Sequence, residues 1–305
     1  MVRSKWWSGG AGRLRRRAGW SIRTLVVTVV LVSSSCALLS GKTDPTPVTV
    51  AAHTGAADWR ARVTYRPNAL VADFTRLQEE LPGAVGLAVL PVGGGRMTVL
   101  GDWTSGIAWS TIKVPLALAA LRKDADAAYE AAEAAITVSD NDAAWELWQQ
   151  LGDDSEASAA VQEVLDEAGR SATGTAITHP ELDGSSYGST EWSLTDQATF
   201  AAELPCLSGS EMVTALMGSV TPEQSWGLGR FSTAQFKGGW GPDDDTGEYT
   251  VRQFGTIATT TGRVAVAMAA RADSGGFDDS TALLDTLAQL LARHIGTLPS
   301  GGCPH

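Results

Sequence analysis

A serine and a lysine stand three residues apart at Ser110 and Lys113, where an apolar run begins. Positions i and i+3 of a helix share a face, so the hydroxyl and the amine can meet within one turn. A serine becomes a nucleophile when an adjacent group accepts its proton, and a desolvated lysine near a second cation is neutral enough to do so. The pair indicates nucleophilic catalysis; the structural alternative is a helix-capping serine beside a solvated lysine.

Two further stretches carry polar residues suited to such a site. Ser139-Asp140-Asn141 falls between two helical segments, and Lys237-Gly238-Gly239 lies on a strand expected to border a sheet. Each also has a structural interpretation, because serine and aspartate cap helices, lysine suits an edge strand and paired glycines can mark a bulge. The chain has only five lysines, and two of them, Lys113 and Lys237, fall in the first motif and in the last of these stretches.

Together the three motifs resemble the S-x-x-K, S-D-N and K-T-G set of serine β-lactamases and penicillin-binding proteins, and they occur in that family's order. The resemblance covers roughly residues 60 to 305. It implies that Ser110 is the nucleophile and Lys113 a base, while Ser139 and Lys237 serve proton transfer to the leaving nitrogen. It also implies an acyl-enzyme with a β-lactam or a D-alanyl peptide of peptidoglycan, without a cofactor or metal.

The same resemblance implies which residues bind the substrate. Asn141 would hold the substrate amide, and the backbone N–H groups of Ser110 and Trp240 would form the oxyanion hole. The third motif has Gly238 where a hydroxyl residue is usual, which removes one hydrogen-bond donor to a substrate carboxylate. Gly239 matches the glycine of the motif.

One loop departs from the pattern of class A β-lactamases, in which an E-P-E-L-N stretch supplies the deacylating glutamate. Here the matching residues are 179–183, with His179 in the place of that glutamate and Asp183 in the place of the asparagine. Three interpretations stay open: His179 is the base, Glu181 serves after a shift of two residues, or deacylation is slow or activity is lost. This favours weak or absent β-lactam hydrolysis. The alternative function is a catalytically silent binding or scaffold lipoprotein of the cell envelope.

The spacing of apolar residues predicts the elements that position these motifs. Helices are expected over residues 68–81, 110–122, 125–135, 155–168, 194–204 and 210–220, with one more carrying Trp145, Trp148 and Leu151 on an apolar face and a last one rich in leucine. Strands are expected over residues 85–92, 97–100, 233–239, 249–259 and 262–270. The glycines at 93–95 join two strands, so they indicate a hairpin rather than a phosphate loop.

This order predicts an α+β, β-lactamase-like fold. An antiparallel five-stranded sheet would be flanked by the terminal helices, and an all-helical lobe would be inserted between its strands. Only 29 residues separate Ser110 from Ser139, about half the number in class A enzymes, so the lobe should be shortened. We expect the site at the seam between the sheet and the lobe, and we expect a monomer.

The first 36 residues resemble an export or lipoprotein signal. They contain seven basic residues and no acid, and the apolar run at 25–32 is too short to span a bilayer. The arginines at 15–17 permit twin-arginine export. Cys36 follows three serines, as at a lipidation site; ordinary cleavage and an uncleaved anchor are the alternatives. Residues 37–60 would be a linker and 61–305 the hydrolase domain, either on the outer face of the cytoplasmic membrane or secreted.

Charge and cysteine content restrict the partners and the compartment. The net charge is −11 for the whole chain and about −18 without the first 36 residues. Such a domain lacks the cationic surface that binds nucleic acid or anionic membranes, so its membrane attachment would be through a lipid or signal anchor alone. In an oxidising compartment Cys206 and Cys303 would form a disulfide; two buried thiols are the alternative.

Other catalytic schemes fit the sequence less well. Residues 184–188 match G-x-S-x-G, but no strand precedes them and no helix follows directly. Three of the four histidines lie in the linker, the last helix or the tail, where a Ser-His-Asp triad is not expected. No metal-binding motif occurs, the acidic run at 243–245 indicates a solvated turn, and Trp145, Trp148 and Trp226 are expected in the core.

Overall fold

The computed structural model describes residues 69–169, 187–243 and 245–304. The chain divides into a first unit, Met1–Arg62, and a second, Val63–His305, and all of the described residues belong to the second. The boundaries expected at residues 36 and 60 stay predictions.

Eight α-helices and five β-strands form the described part of the chain. The helices are α1 (Ala69–Gln78), α2 (Lys113–Lys123), α3 (Ala125–Thr137), α4 (Asn141–Leu151), α5 (Asp154–Ala168), α6 (Leu194–Glu203), α7 (Glu211–Met217) and α8 (Phe277–His294). The strands are β1 (Gly83–Pro91), β2 (Thr98–Gly101), β3 (Gln235–Pro242), β4 (Tyr249–Thr259) and β5 (Gly262–Ala272).

The five strands form one antiparallel sheet in the order β2-β1-β5-β4-β3. Strands from the two ends of the chain therefore lie side by side, with β1 paired to β5. Strand β3, which carries the third motif, stands at one edge of the sheet. The α+β architecture expected from the sequence is confirmed.

Strand β5 shows how the sheet separates two hydrophobic cores. Alternate side chains of a strand point to opposite faces, so Val266 and Met268 pack with residues of α1 and α8, the terminal helices. Ala265 and Ala267 point the other way and join the core of the helical lobe, where α6 packs against the sheet. Small side chains on this face allow the lobe to approach the strands closely.

The inserted lobe is organised around α2, in which every residue from 113 to 121 is buried. Only Asp124 separates α2 from α3, and its side chain caps α3 by accepting a hydrogen bond from the Ala127 N–H. An aspartate at this position satisfies a backbone donor that has no partner within the helix. The direct connection gives the lobe just two helices between the first and second motifs.

The expectation that Trp145 lies in the core was wrong. Trp148 and Leu151 are buried, and Trp148 stacks on Tyr187 at 4.9 Å between ring centroids. Trp145 is 43% exposed. A spacing of three residues drifts around a helix by about 60° per step, and the buried stripe of α4 follows residues 144, 147, 148 and 151 instead.

A disulfide holds the C-terminal tail against the body of the protein. Cys206, just after α6, is bonded to Cys303, with 5.3 Å between their Cα atoms. Gly301 and Arg263 exchange two backbone hydrogen bonds and so attach the tail to β5. None of the described helices combines the length and the apolar character that a membrane crossing needs.

Candidate active site

Ser110, the predicted nucleophile, lies in a short 3-10 turn of residues 109–112 that leads into α2 and is called the nucleophile turn after that prediction. Trp109 has a φ of 50°, a left-handed conformation that side chains other than glycine seldom adopt. Its indole N–H donates to Thr250 Oγ1 at 3.1 Å, and its ring lies against Gly241 of β3. The strained tryptophan thus fixes the backbone directly before Ser110, which is half-buried.

Lys113 is the first residue of α2 and is 2% exposed. Its Nζ donates to Ser139 O at 2.7 Å and to Asn141 Oδ1 at 2.6 Å, and it lies 3.5 Å from Ser139 Oγ. Within the described residues it makes no hydrogen bond to Ser110. The lysine side chain is directed toward the second motif instead.

Burial lowers the pKa of Lys113 to about 7, an effect that Asp140 partly opposes. At neutral pH a large fraction of this amine is therefore unprotonated and able to accept a proton. Asp140 itself caps α4 by accepting the Ala143 N–H at 2.8 Å. The second motif therefore combines a helix cap with Ser139 and Asn141, whose side chains face the lysine.

Lys237 approaches Ser139 from the sheet. It is fully buried, and its Nζ donates to Ser139 Oγ at 2.9 Å and to Gly238 O at 2.9 Å. Burial, followed by repulsion from Lys113, holds the pKa of Lys237 well below its usual value. Ser139 has a φ of 60°, a second strained position at the site. Its hydroxyl lies between two buried lysine amines, 3.5 Å from Lys113 Nζ and 2.9 Å from Lys237 Nζ, where it can relay protons.

The two glycines of the third motif face opposite sides of β3. A Cβ on Gly239 would lie 2.9 Å from Ala108 O and 3.0 Å from Ser110 N, so the absence of a side chain lets the strand touch the nucleophile turn. A Cβ on Gly238 would lie 3.0 Å from the ring of Trp226. The missing hydroxyl thus coincides with a tryptophan that fills its space.

Trp240 follows these glycines and belongs to an aromatic cluster on the far face of β3. Its ring lies 6.1 Å from that of Trp226 and 5.7 Å from that of Phe277. Trp226 is 7% exposed, and its indole N–H has no hydrogen-bond partner in the described structure. The side chain of Trp240 therefore packs in this cluster, and the expectation that its backbone N–H helps to form the oxyanion hole stays a prediction.

Two polar residues near the nucleophile turn were not predicted from the sequence. Arg252 of β4 and Gln197 of α6 are buried and hydrogen-bonded to each other, and Gln197 donates to Thr111 in the nucleophile turn. Gln197 lies three residues after buried Leu194, so its position on the buried face of α6 was a signal in the sequence. A buried polar side chain needs a partner, and here the partners lead to the site.

Several predicted site residues lie outside the described residues. They are Cys36, His179, Glu181 and Asp183. Among the residues that are described, no group of three or more His, Cys, Asp or Glu side chains could hold a metal ion.

Comparisons with known proteins identify the fold. No family model matches the chain, and no curated protein matches it significantly. Solved structures do. The TLA-3 extended-spectrum β-lactamase aligns with a TM-score of 0.61 and 14% identity, over 74% of this chain and 98% of that chain.

Two more solved structures agree. A β-lactamase from Chitinophaga pinensis aligns with a TM-score of 0.59 and 14% identity, over 73% of this chain and 98% of that chain. The chromosome-encoded β-lactamase of Vibrio parahaemolyticus aligns with a TM-score of 0.56 and 17% identity, over 74% of this chain and 98% of that chain. The chain has a β-lactamase-like fold, as the motifs implied; identities this low show the fold alone.

Proposed function

We propose that this protein is an active-site-serine hydrolase or acyltransferase that forms an acyl-enzyme on Ser110 with β-lactams or with D-alanyl peptides of peptidoglycan. One observation carries the proposal: two buried lysines, Lys113 and Lys237, both reach Ser139 beside the nucleophile turn. Burying two amines at one serine carries a desolvation cost, and groups with strongly shifted pKa values cluster where proton transfer requires them.

In the proposed reaction Ser110 Oγ attacks the amide carbonyl carbon and forms a new C–O bond. The serine proton passes to the neutral amine of Lys113, whose pKa of about 7 suits a base at neutral pH. When the C–N bond breaks, the departing nitrogen takes the hydroxyl proton of Ser139, and the Lys113 ammonium formed in the first step replaces that proton and becomes neutral again. Backbone N–H groups of Ser110 and Trp240 would stabilise the oxyanion.

Deacylation is the step that we propose to be slow. The candidate bases, His179 and Glu181, do not reproduce the glutamate that the resemblance calls for, so hydrolysis of the acyl-enzyme should be weak. Substituting each residue separately and timing the decay of the acyl adduct would identify a base. If neither substitution lengthens the lifetime of the adduct, neither residue activates the deacylating water.

A silent binding or scaffold protein is the second candidate, and the contact between Gly238 and Trp226 favours it. The third motif lacks the hydroxyl that would bind a substrate carboxylate, and a Cβ at position 238 would already lie 3.0 Å from the ring. A protein that keeps this fold without turnover would still bind envelope peptides, but it would not become covalently modified.

One experiment separates the two candidates. The protein and its Ser110→Ala variant are incubated with a fluorescent penicillin, and both are followed by intact mass and by turnover of a chromogenic cephalosporin. An adduct on the parent protein and none on the variant supports the enzyme. Absence of both adduct and turnover at all concentrations and times contradicts the enzyme for these substrates and leaves the binding protein.

We also propose export to the cell envelope. The disulfide between Cys206 and Cys303 supports this location, because such bonds persist in oxidising compartments. Membrane attachment through Cys36 is tested by mass analysis of the mature N-terminus, which would carry a diacylglycerol-modified cysteine. A mature chain that begins elsewhere without lipid would contradict the anchor.

A further inference from the structure

Arg252 lies in the sheet directly beneath the nucleophile turn. It is paired across the β3–β4 ladder with Gly239, the residue whose bare backbone touches Ser110 N and Ala108 O. Facing residues of an antiparallel pair point to the same side of the sheet. The arginine side chain therefore extends into the seam between the sheet and the helical lobe, where it is 3% exposed.

The guanidinium of Arg252 binds carbonyl oxygens rather than a carboxylate. Nη1 donates to Gly106 O at 2.7 Å and to Ile107 O at 3.0 Å, while Nη2 donates to Trp192 O at 2.9 Å. No described carboxylate forms an ion pair with it. Burial lowers the pKa of Arg252 to about 10, so it remains charged at neutral pH.

Gln197 continues this network into the turn itself. Its Oε1 accepts from Arg252 Nη2 at 3.1 Å, and its Nε2 donates to Thr111 Oγ1 at 2.9 Å. The Thr111 hydroxyl in turn donates to Ala108 O at 2.5 Å. A continuous chain of buried hydrogen bonds therefore runs from Arg252 to the residues on both sides of Trp109 and Ser110.

This arrangement explains how Trp109 keeps its left-handed backbone. A residue with unfavourable φ persists only where its surroundings over-determine it. Here the segment before Trp109 is held by Arg252 through the carbonyls of residues 106 and 107, and Ala108 O is held by Thr111. A buried guanidinium that makes no direct ion pair, with only the charge of Glu191 nearby to favour it, is an expensive way to fill space, since apolar residues often replace buried charges without loss of stability. The several N–H donors of Arg252 hold backbone carbonyl oxygens in place, which an apolar side chain of the same size cannot do.

We infer that Arg252 is a positioning residue for the nucleophile: through Gln197 and Thr111, and through the carbonyls of residues 106 and 107, it holds the turn that presents Ser110 to the substrate. The inference rests on the proposed function, because it assigns a role in the acylation of Ser110. It acts on the rate of the covalent step and not on the affinity of the non-covalent complex.

The test compares four variants of the full chain. Arg252→Met removes the donors, Thr111→Val removes the hydroxyl, and Gln197→Glu keeps an acceptor for Arg252 while losing the donor to Thr111. Arg263→Met is the matched control, because Arg263, next to the turn between β4 and β5, also donates to backbone and hydroxyl oxygens, at Thr233 O and Thr256 Oγ1.

The readouts are the rate constant of acylation by benzylpenicillin, the dissociation constant of the complex that precedes it, and the melting temperature. We expect the first three variants to acylate about 10- to 100-fold more slowly at an unchanged dissociation constant. The reason is that a small displacement of the Ser110 hydroxyl from its reactive position slows the covalent step. Gln197→Glu should do so without a lower melting temperature. Parental rates in Gln197→Glu and Thr111→Val, or an equal loss in Arg263→Met, would overturn the inference.

A crystal structure of Arg252→Met keeps this test separate from that of the proposed function. If the parent protein is never acylated, the proposed function fails, and the structure still decides the positioning role. We expect Trp109 to leave its left-handed conformation and Ser110 to move with it. An unchanged turn in this variant would contradict the inference whatever the activity.

Discussion

The ammonium group of Lys237 lies 2.9 Å from the hydroxyl of Ser139, although 98 positions separate the two residues in the sequence. Lys237 comes from the edge strand and Ser139 from the connection between α3 and α4, while Lys113 reaches the same serine from α2. Three separate elements thus meet at one serine, whose hydroxyl contacts Lys237 and whose carbonyl oxygen contacts Lys113. The fold brings the three sequence motifs together, and Ser139 is the residue that connects them.

Substitution of Ser139 by alanine should slow acylation of Ser110 by about 100-fold, the usual contribution of general acid–base catalysis. The variant lacks the hydroxyl that passes a proton to the leaving nitrogen. Intact mass spectrometry of samples quenched at successive times after addition of benzylpenicillin gives the rate of acylation. The control is Ser280→Ala, which removes a buried serine of α8 that bonds Ala272 N; a similar loss there would show that the effect is a general one of packing.

The rate of acylation should rise with pH through about 7. The sign follows from burial, which lowers the pKa of Lys113 from its ordinary 10.5 to about 7, so the neutral amine that accepts the proton accumulates above this pH. Between pH 6 and 8 the rate should rise about tenfold. Lys113→Arg should be nearly inactive throughout, because a guanidinium does not deprotonate in this range. A flat profile in the parent protein would exclude Lys113 as the base.

Alanine at position 239 should impair both folding and acylation. The new Cβ would lie 3.0 Å or less from backbone atoms of Ala108, Ser110 and Thr111, which cannot move aside independently. Overpacking of this kind costs about 1–3 kcal/mol of unfolding free energy. Urea unfolding measures it, with Gly296→Ala as the control, since nothing lies within 4 Å of a Cβ there. Equal stability of the two variants would refute the close contact.

Introduction of a hydroxyl by Gly238→Ser should destabilise the protein by about 1–3 kcal/mol, because its Cβ would meet the Trp226 ring at 3.0 Å. Combined with Trp226→Leu, the loss should be less than the sum of the two single changes, as expected for residues in contact. Thermal unfolding of all four proteins completes the cycle. If the losses of unfolding free energy in the two single variants add up to that of the double variant, the Trp226 ring is not what disfavours a side chain at position 238.

Loss of the disulfide should lower the unfolding free energy by about 2–4 kcal/mol, because the bond closes a long loop in the unfolded chain. The 97-residue separation between Cys206 and Cys303 places the effect toward the upper part of this interval. Cys206→Ser and Cys303→Ser should show equal losses in urea unfolding, and reduction of the parent protein should match them. Unequal losses would indicate that one cysteine also contributes by packing.

The residues that meet at the candidate site could be anticipated from the sequence because each motif is short and local. The order of strands and helices followed from the periodicity of apolar residues, and the edge position of β3 followed from the order. Trp145 was misplaced because periodicity places a side chain on one face of its own helix without showing which neighbouring element covers it. Neighbouring faces of α4 both carry apolar residues, and packing against the rest of the lobe decides which face is buried.

The hydrogen-bond network beneath the turn that carries Ser110 could not be predicted in the same way. Arg252 and Gln197 are 55 residues apart, and Gln197 and Thr111 are 86 apart. Hydrogen bonds between distant residues leave no periodic trace, and a lone arginine in a strand is compatible with a solvated edge. The contact of Trp226 with Gly238 is similarly non-local, so the altered third motif indicated a missing donor but not the ring that replaces it.

The most direct test of the account is peptide mapping of the full chain after reaction with benzylpenicillin. Acylation of Ser110 predicts one penicilloyl group per molecule, located on the peptide that contains Ser110 and absent from the Ser110→Ala variant. An adduct on any other residue, an adduct that survives in the variant, or no adduct after prolonged incubation would contradict the assignment of Ser110 as the nucleophile.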